Sequence, residues 1–395
     1  MDELLVLTVS GHDQPGTTAG VTKILSSYAV TIAQMQQIVL QDELVLGLTL
    51  IAENLDHIAQ MEDELVDFLS SRNMSLRIAT VPKSESDAKL QRLLVTVLGN
   101  PLTPAAVAAI TATVASHGAN IERIRQVAEF PVTAIEFQIA GVAQEDLRGS
   151  LSDVARTNSI DIAVQMANLD RRGVQLVVLD VDSTIIQQEV IDLLASYAGV
   201  EAQVSKITHR AMNGELDFTQ SLVQRVALLK GLPASKLNDV RKDIVFTPGA
   251  ATLCRTLRRL GFHVALVSGG FLEVVEPLAN ELGIDEVRAN RLEVVDGVLT
   301  GKLIGPIIDR IAKASALRDF AEKYKVPMSR TIAVGDGAND LDMLSAAALG
   351  IAFNAKPYVR ERADSSLTSP FLDTILFVMG ISRDEIEQAD IQQTN

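Results

Sequence analysis

Two aspartates, Asp180 and Asp182, directly follow the apolar run at residues 174–179. A run without polar alternation predicts a central strand of a parallel sheet, and ligands of such sheets bind beyond the carboxyl ends of the strands. Residues two apart in an extended segment point to the same side, so both carboxylates can share one site. Close carboxylates repel unless a cation neutralises them, so the pair indicates a metal. The alternative is that the aspartate and the following Ser183 only begin the next helix.

Three later segments place more polar residues at the ends of predicted elements. Residues 263–270 and 331–340 each predict an apolar strand, the first leading into a helix from Phe271, and residues 309–324 predict a helix between them. Backbone N–H groups beside a hydroxyl can bind an anion. Each segment alone is weak evidence, but their order is specific. The residues they contribute are Ser268, Gly269, Lys313, Gly335, Asp336, Asn339 and Asp340.

This order, Asp-x-Asp, then Ser-Gly, then Lys, then Gly-Asp-x-x-Asn-Asp, closely resembles the haloacid dehalogenase superfamily of phosphotransferases. The resemblance implies an α/β domain at residues 174–395 with a Rossmann-like parallel sheet. It implies that Asp180 is the nucleophile and Asp182 the general acid/base. Mg²⁺ would be held by the Asp180 and Asp336 carboxylates and by the Asp182 backbone carbonyl.

The same resemblance assigns the remaining residues of these motifs. Ser268, the Gly269 N–H and Lys313 would balance the charge on the phosphoryl oxygens. Asn339 and Asp340 would orient the waters of the metal and Lys313, with Gly335 as a supporting residue. Asp340 has an alternative role as a structural helix cap.

A mostly helical stretch at about residues 186–246 follows the nucleophile strand, where an insertion forms a cap over the site. Its Glu189 and Arg225 would ordinarily lie on a solvated helix face. However, residues 187–192 (QQEVID) and 209–231 (HRAMNGELDFTQSLVQRVALLKG) resemble the phosphoserine phosphatases. By that resemblance Glu189 binds the substrate ammonium, Arg225 binds its carboxylate, and Met212 and Phe218 form an apolar lid.

The implied reaction is hydrolysis of O-phospho-L-serine to L-serine and phosphate through an aspartyl-phosphate, the last step of serine biosynthesis. Two alternatives remain open at this point. The phosphoryl group on Asp180 could pass to another alcohol such as homoserine. The chain could also be an amino-acid sensor with weak residual phosphatase activity, although a pure sensor has no need of Lys313 or Asp336.

The first 168 residues contain a repeated βαββαβ pattern, at residues 1–82 and 90–168, with an offset of about 88 residues. Both units resemble ACT domains, α+β ferredoxin-like modules that bind amino acids or each other. The first has the typical DxPG turn at residues 13–16 (DQPG), where serine or glycine could bind as an effector, whereas the second has NPLTP at residues 100–104. Regulation by an effector and a role only as a dimerisation scaffold remain alternatives. Exposed sheet edges lead us to expect a homodimer.

Composition limits the partners. The 395 residues have a net charge of −15, which argues against nucleic acid and anionic membrane surfaces as partners. The chain has no Trp, which argues against a surface for stacking nucleic-acid bases. The single cysteine, Cys254, excludes an intrachain disulfide framework and fits a reducing compartment. No apolar stretch reaches the length of a membrane span. We therefore expect a cytoplasmic protein.

Overall fold

The computed structural model describes residues 3–52, 57–82, 91–173, 175–212, 215–284 and 286–394. The chain divides into two compact units, Met1–Leu90 and Gln91–Asn395. The predicted linker at residues 82–89 lies outside the described residues, apart from Pro82. Among the described residues, every helix is too short or too polar to cross a membrane.

The first unit has the predicted βαββαβ order. Its antiparallel sheet has the strand order β2-β3-β1-β4. Alternate residues of the inner strands, such as Leu7 and Leu48, are fully buried against the two helices, so one sheet face forms the core. The elements are β1 (Glu3–His12), α1 (Thr17–Leu25), β2 (Val30–Leu40), β3 (Glu43–Ala52), α2 (Ile58–Ser70) and β4 (Ser75–Pro82).

The second unit begins with another βαββαβ module, whose sheet has the equivalent order β6-β7-β5-β8. Its first helix begins differently from that of the first unit. Thr103 caps α3 by accepting the Ala106 N–H at 3.2 Å, whereas Gly16, at a φ of 88°, precedes α1. The elements are β5 (Arg92–Gly99), α3 (Pro104–Ser116), β6 (Asn120–Ala128), β7 (Thr133–Ala140), α4 (Gln144–Asn158) and β8 (Asp161–Met166).

The rest of the second unit is built on a seven-stranded sheet of order β12-β11-β10-β9-β13-β14-β15. Central β9 runs parallel to β10 and β13. Its four residues are fully buried and alternate between two cores, Val177 and Leu179 in one and Leu176 and Val178 in the other. This explains why the run shows no polar alternation. The strands are β9 (Leu176–Leu179), β10 (His263–Phe271), β11 (Glu286–Val295), β12 (Val298–Ile304), β13 (Thr331–Gly335), β14 (Leu349–Phe353) and β15 (Ser365–Leu367).

Of the α-helices that the structure describes between β9 and β10, the first four form the cap over the carboxyl end of the sheet: α5 (Val190–Ala198), α6 (Glu201–Met212), α7 (Phe218–Ala227) and α8 (Lys236–Asp243). The remaining helices are α9 (Ala250–Arg259), α10 (Leu272–Leu282), α11 (Arg310–Tyr324), α12 (Leu341–Ala346), α13 (Pro357–Arg360), α14 (Thr374–Val378) and α15 (Arg383–Thr394).

The second βαββαβ module is bonded directly to the edge of the large sheet. The buried Asp161 carboxylate accepts the Thr368 N–H at 2.7 Å and the Thr368 hydroxyl at 3.0 Å. Gln165 donates its amide to the Val378 carbonyl at 2.8 Å. These contacts explain why the module and the large sheet form one compact unit.

Candidate active site

Asp180 and Asp182 leave the end of β9 into a sharp turn. The Asp180 N–H still donates to the Val334 carbonyl at 2.9 Å, so Asp180 continues the central strand. Ser183 has a φ of 56°, an uncommon conformation for a residue other than glycine, and this reverses the chain. The Asp182 Oδ1 then accepts the Val190 N–H at 3.0 Å, at the start of α5. The turn therefore places the Asp182 carboxylate at the start of the first cap helix, while Asp180 stays at the end of the strand.

Lys313 is the cation at the centre of the site. Its Nζ donates to Asp180 Oδ1 at 2.7 Å and to Asp340 Oδ1 at 2.6 Å, and the lysine is fully buried. α11 begins one turn earlier, where Asp309 caps it by accepting the Ala312 N–H at 2.9 Å. This cap fixes the start of the helix that presents the ammonium to Asp180.

Asp340 holds both Lys313 and the loop after β13. Its second oxygen accepts the Gly337 N–H at 2.9 Å, so each oxygen already has a donor. Although it occupies the residue before α12, its side chain makes no capping bond to that helix. A Cβ at Gly335 would lie 2.4 Å from the Asp340 Cγ, so only glycine leaves room for this carboxylate. Asp340 therefore supports Lys313 and also caps the short 3-10 turn at Ala338–Asp340 through its bond to the Gly337 N–H, so both predicted roles are compatible with the geometry.

Burial disfavours ionisation of the carboxylates in this cluster. Burial raises the pKa of Asp180 well above its ordinary value, and the nearby Asp340 adds to the effect. Burial also raises the pKa of Asp182 to about 7, with Glu189 contributing, and that of Asp336 to about 7, with Asp340 contributing. Burial opposes the charge of Lys313, but Asp180 and Asp340 outweigh it and raise the pKa of the lysine. The cluster contains more carboxyl groups than the single ammonium of Lys313 can neutralise, so it can bind a second cation.

The residues present fit Mg²⁺. Carboxylate oxygens of Asp180, Asp336 and Asp340 lie within 4.8 Å of one another, and oxygen is the donor that this ion prefers. Both Asp340 oxygens already have donors, which leaves Asp180 and Asp336 as the better carboxylate ligands. The Asp182 side chain is not part of this group; its predicted contribution comes from the backbone carbonyl.

Ser268 and Gly269 lie at the end of β10, beside Asp182. The Ser268 hydroxyl accepts the Gly270 N–H at 2.8 Å and lies 3.4 Å from Asp182 Oδ2. The helix expected from Phe271 begins instead at Leu272, because Phe271 still pairs with Asn290 of β11. Both glycines therefore belong to the strand end rather than to a helix start.

The cap closes over Gly269 through Phe218. A Cβ at Gly269 would lie 2.9 Å from the Phe218 Cζ, so the aromatic ring rests directly on this glycine. Phe218 begins α7, which Asp217 caps together with Gln220. Met212, the other predicted lid residue, ends α6, and its side chain lies outside the described structure.

Glu189 and Arg225 lie on the cap side of the site. Ser183 donates its hydroxyl to Glu189 Oε1 at 2.8 Å, which orients this exposed carboxylate at the start of α5. Arg225 is half-buried on α7, and its Nε donates to the Ser221 carbonyl at 3.4 Å. Burial lowers the pKa of Arg225, while Glu189 and Asp192 act in the opposite direction. The negative charge of Glu189 therefore favours the charged form of Arg225, the other predicted substrate residue.

Asn290 is a positioning residue that the sequence reasoning missed. It is buried, donates its amide to the Gly269 carbonyl at 2.8 Å and accepts the Ile308 N–H at 2.8 Å. It thus ties the strand end at Gly269 to the segment that begins the Lys313 helix. The hairpin of β11 and β12 that carries it was not predicted either. Its bonding partners are distant in sequence, so no local pattern indicated the role.

Comparison with protein families identifies three regions of the chain. Residues 177–345 match the haloacid dehalogenase-like hydrolase family. Residues 3–79 and 92–165 each match an ACT domain family. The hydrolase match contains the β9 turn, the cap, Lys313 and the loop after β13.

Relatives are similar over nearly the whole chain. The phosphoserine phosphatase of Streptomyces coelicolor is 48% identical over 386 residues, which cover 98% of this chain and 94% of the relative. The phosphoserine phosphatase SerB2 of Mycobacterium tuberculosis is 46% identical over 98% of this chain and 95% of the relative. A solved phospho-aspartyl intermediate analogue of phosphoserine phosphatase is 44% identical, with a TM-score of 0.50, over 52% of this chain and 98% of that chain.

Proposed function

The chain belongs to the phosphoserine phosphatases, haloacid dehalogenase-like hydrolases, here with two N-terminal ACT domains, and we propose that the cluster around Asp180 and Lys313 carries its reaction. The enzyme hydrolyses O-phospho-L-serine to L-serine and phosphate through an aspartyl-phosphate. The observation that supports the assignment most strongly is the buried bond from Lys313 to Asp180, with Asp182 two residues away at the same strand end.

Asp180 is the nucleophile in this proposal. Its carboxylate attacks phosphorus, and the bond from phosphorus to the serine oxygen breaks. Lys313 orients the carboxylate by bonding one of its oxygens and balances part of the negative charge on the transferring group. Since Lys313 is held from the other side by Asp340, it cannot swing away from Asp180 without breaking a second bond.

Asp182 moves the protons. Its pKa of about 7 lets it hold a proton near neutral pH and give it to the departing serine oxygen. The ionised Asp182 then takes a proton from the water that attacks the aspartyl-phosphate, which releases phosphate and restores Asp180. The Val190 N–H holds the Asp182 Oδ1, so the Oδ2 near Ser268 is the oxygen left for proton transfer.

A magnesium ion, held by the Asp180 and Asp336 carboxylates and the Asp182 carbonyl, would supply a Lewis acid that lowers the charge on phosphate. Asn339 is half-buried in the loop after β13, and its predicted role is to orient this shell. Ser268 and the Gly269 N–H form the part of the phosphate cradle at the end of β10.

Substrate selection depends on the cap. A phosphorylated amino acid carries an ammonium and a carboxylate, which Glu189 and Arg225 match in charge. Phe218 packs on Gly269 and excludes water from the side of the phosphate cradle. Glu189 and Asp192 act on the half-buried Arg225 electrostatically and favour its charged form, so Arg225 is available as a cation for a substrate carboxylate.

The roles of the ACT domains remain proposals. A serine or glycine effector, a homodimer formed through ACT sheet edges and a cytoplasmic location all stay predictions. Support for the first is the DxPG turn at residues 13–16, in which Gly16 adopts a φ of 88° directly before α1. Support for the last is the single buried cysteine, Cys254.

The test is phosphate release from L-phosphoserine, L-phosphothreonine and p-nitrophenyl phosphate, with and without magnesium. We expect magnesium-dependent turnover with a strong preference for phosphoserine. Arg225→Ala should raise the phosphoserine KM by at least tenfold, because it removes a charged hydrogen bond worth about 1.5–3 kcal/mol. Lys230→Ala, an exposed cation just beyond the same helix, is the matched control and should leave KM unchanged.

Two results would contradict the proposal. An Arg225→Ala enzyme with the wild-type KM for phosphoserine would remove the carboxylate assignment. Equal turnover of p-nitrophenyl phosphate and phosphoserine would remove the cap from substrate selection. Product analysis with added homoserine separates hydrolysis from phosphoryl transfer to an alcohol, the alternative that the chemistry at Asp180 leaves open.

A further inference from the structure

A cleft of about 680 Å³ lies between the second ACT sheet and the segment that joins α14 to α15. It lies on the sheet face away from α3 and α4, since Leu93 and Phe137 fill the helix side. The volume is in the range of small-molecule sites. Its charged lining residues are Arg92, Arg123, Arg125, Arg171, Glu136 and Glu385.

The cleft is positively charged in a protein whose net charge is −15. Its lining has four arginines and two glutamates, and a third glutamate, Glu122, bonds Arg92 at 2.7 Å from outside the lining. The balance stays positive even with Glu122 included. Guanidinium groups that converge on one concave surface are the usual recognition device for carboxylates and phosphates.

Two of the arginines are held in place before any ligand arrives. Glu136 is 8% exposed and pairs with Arg125 at 3.1 Å and with Arg171 at 2.6 Å. This carboxylate fixes both guanidinium planes and lowers the entropy cost of using them. Arg123 differs, because its side chain is exposed and makes no ion pair or hydrogen bond within the part of the chain that the structure describes. Its donors are available to a ligand.

We propose that this cleft binds a small dianionic metabolite, through carboxylate or phosphate groups, and that its occupancy is communicated to the cap. The residues that line the cleft include none of the Asp180 site and none of the first ACT domain. The guanidinium of Arg123 would donate its N–H groups to the ligand directly. The guanidinium groups of Arg125 and Arg171, already oriented by Glu136, would donate to it as well.

The arginines of the cleft also hold the C-terminal segment. Arg125 donates to the Gly380 carbonyl at 3.1 Å, and Arg171 donates to the Val378 carbonyl at 2.9 Å. Gly380 has a φ of 84°, and a Cβ there would lie 2.8 Å from an Arg171 nitrogen, so the guanidinium packs on this turn. A dianion in the cleft competes with the two carbonyls for these donors.

The C-terminal segment leads to the base of the cap. Just before α14, the Leu372 N–H donates to the Pro248 carbonyl at 2.7 Å. Thr247, which precedes Pro248, donates its N–H to the Ile185 carbonyl at 2.9 Å. Ile185 and Thr247 lie at the two ends of the cap, so this bond joins the segments by which the chain enters and leaves it. Two hydrogen bonds therefore connect the segment before α14 to the two chain connections of the cap, and they are the route by which occupancy of the cleft would reach it. This second part of the inference rests on the proposed function of the cap.

Binding is tested by calorimetry at low ionic strength on the full chain, with malonate as the dicarboxylate probe and sulfate as the phosphate-like probe. We expect measurable binding of at least one probe, and binding of that probe at least tenfold weaker in Arg123→Gln, since a hydrogen bond between charged groups is lost. Arg156→Gln, an exposed arginine of α4 in the same module, is the control and should bind like wild type. Thermal unfolding confirms that each variant is folded.

The outcomes separate clearly. Equal binding in all three proteins, or none in wild type, overturns the site; a response to sulfate alone or to malonate alone identifies the preferred chemistry. Sulfate at the phosphate cradle does not depend on Arg123 and is therefore distinguished. For coupling, the bound probe should change kcat/KM for phosphoserine in wild type and in Arg156→Gln by at least twofold more than in Arg123→Gln, which reports any competition at the phosphate cradle alone. Binding without this change overturns the coupling, whereas absent turnover in untreated wild type would instead contradict the proposed function.

Discussion

The Nζ of Lys313 lies 2.7 Å from Oδ1 of Asp180, although 133 residues separate them in the chain. Their side chains are 0% and 5% exposed, and the lysine also bonds Asp340. Water cannot screen this contact, so its electrostatic effect is larger than that of a surface pair. The carboxyl end of β9 and the first turns of α11 therefore form one electrostatic unit.

Replacement of Lys313 should affect both turnover and folding. Lys313→Met leaves two buried carboxylates without their cation, so we expect kcat to fall at least 100-fold. The free energy of unfolding should fall by about 3 kcal/mol, as for removal of one partner of a buried pair. Phosphate release and urea unfolding measure the two effects. Lys325→Met, at the exposed end of the same helix, should change neither, and a Lys313→Met enzyme with near-normal kcat would contradict the assignment.

Asn290 should affect turnover by holding Gly269 and the start of the Lys313 helix in place. Asn290→Leu leaves the Gly269 carbonyl and the Ile308 N–H without their partners, so both the strand end and the start of the Lys313 helix lose support. We expect kcat to fall about tenfold, with a smaller change in KM, because about 1–3 kcal/mol is lost for each unsatisfied group. Steady-state kinetics at a temperature where both proteins are folded make the comparison. The control is Asn238→Leu, an exposed asparagine of α8. Loss of stability with unchanged kcat would assign Asn290 to folding alone.

Phe218 and Gly269 should be energetically coupled. Gly269→Ala places a methyl group 2.9 Å from the Phe218 ring, which must move and open the cap. The phosphoserine KM should rise in Gly269→Ala and in Phe218→Ala. Because the second change removes the clash, the double variant should resemble Phe218→Ala, with a coupling energy of about 1 kcal/mol or more. Fully additive effects on KM would show that the ring does not respond to this glycine.

Asp161 should make stability depend on pH. Burial raises the pKa of this carboxyl from 3.8, against the opposing hydrogen bonds from Thr368. An acid with a raised pKa binds its proton more tightly in the folded state, so stability falls as pH rises from 3.8 through the folded pKa, and the penalty is constant above it. Asp161→Asn removes this slope, so the stability of the variant relative to wild type should increase from pH 4 upward. Urea unfolding from pH 4 to 8 tests this, with the exposed Asp153→Asn as control. A difference that does not vary with pH would contradict the prediction.

Sequence patterns located residues that lie at strand ends and failed for residues defined by distant partners. Asp180, Ser268 and Asp336 could be found because each follows an apolar run, and parallel strands bring their carboxyl ends together. Asn290 lies inside a strand, and its partners, Gly269 and Ile308, are about 20 residues away on either side, so nothing local marked it.

The same limit applies to the ACT module and its cleft. The βαββαβ order was evident from period-2 and period-3.6 patterns. The attachment of Asp161 to Thr368 and of Arg171 to Val378 spans about 207 residues, which no pattern within one segment can reveal. These contacts join the second ACT module to the large sheet, which is why Gln91–Asn395 forms one compact unit.

Transfer of the phosphoryl group to Asp180 is the central claim, and acid quench during turnover of phosphoserine tests it most directly. Borohydride converts a phosphorylated aspartate to homoserine, which mass spectrometry then locates in the peptide that contains residue 180. The account predicts homoserine at position 180 in wild type and none in Asp180→Asn, which should remain folded and inactive. Homoserine at another aspartate, or turnover by Asp180→Asn, would contradict it.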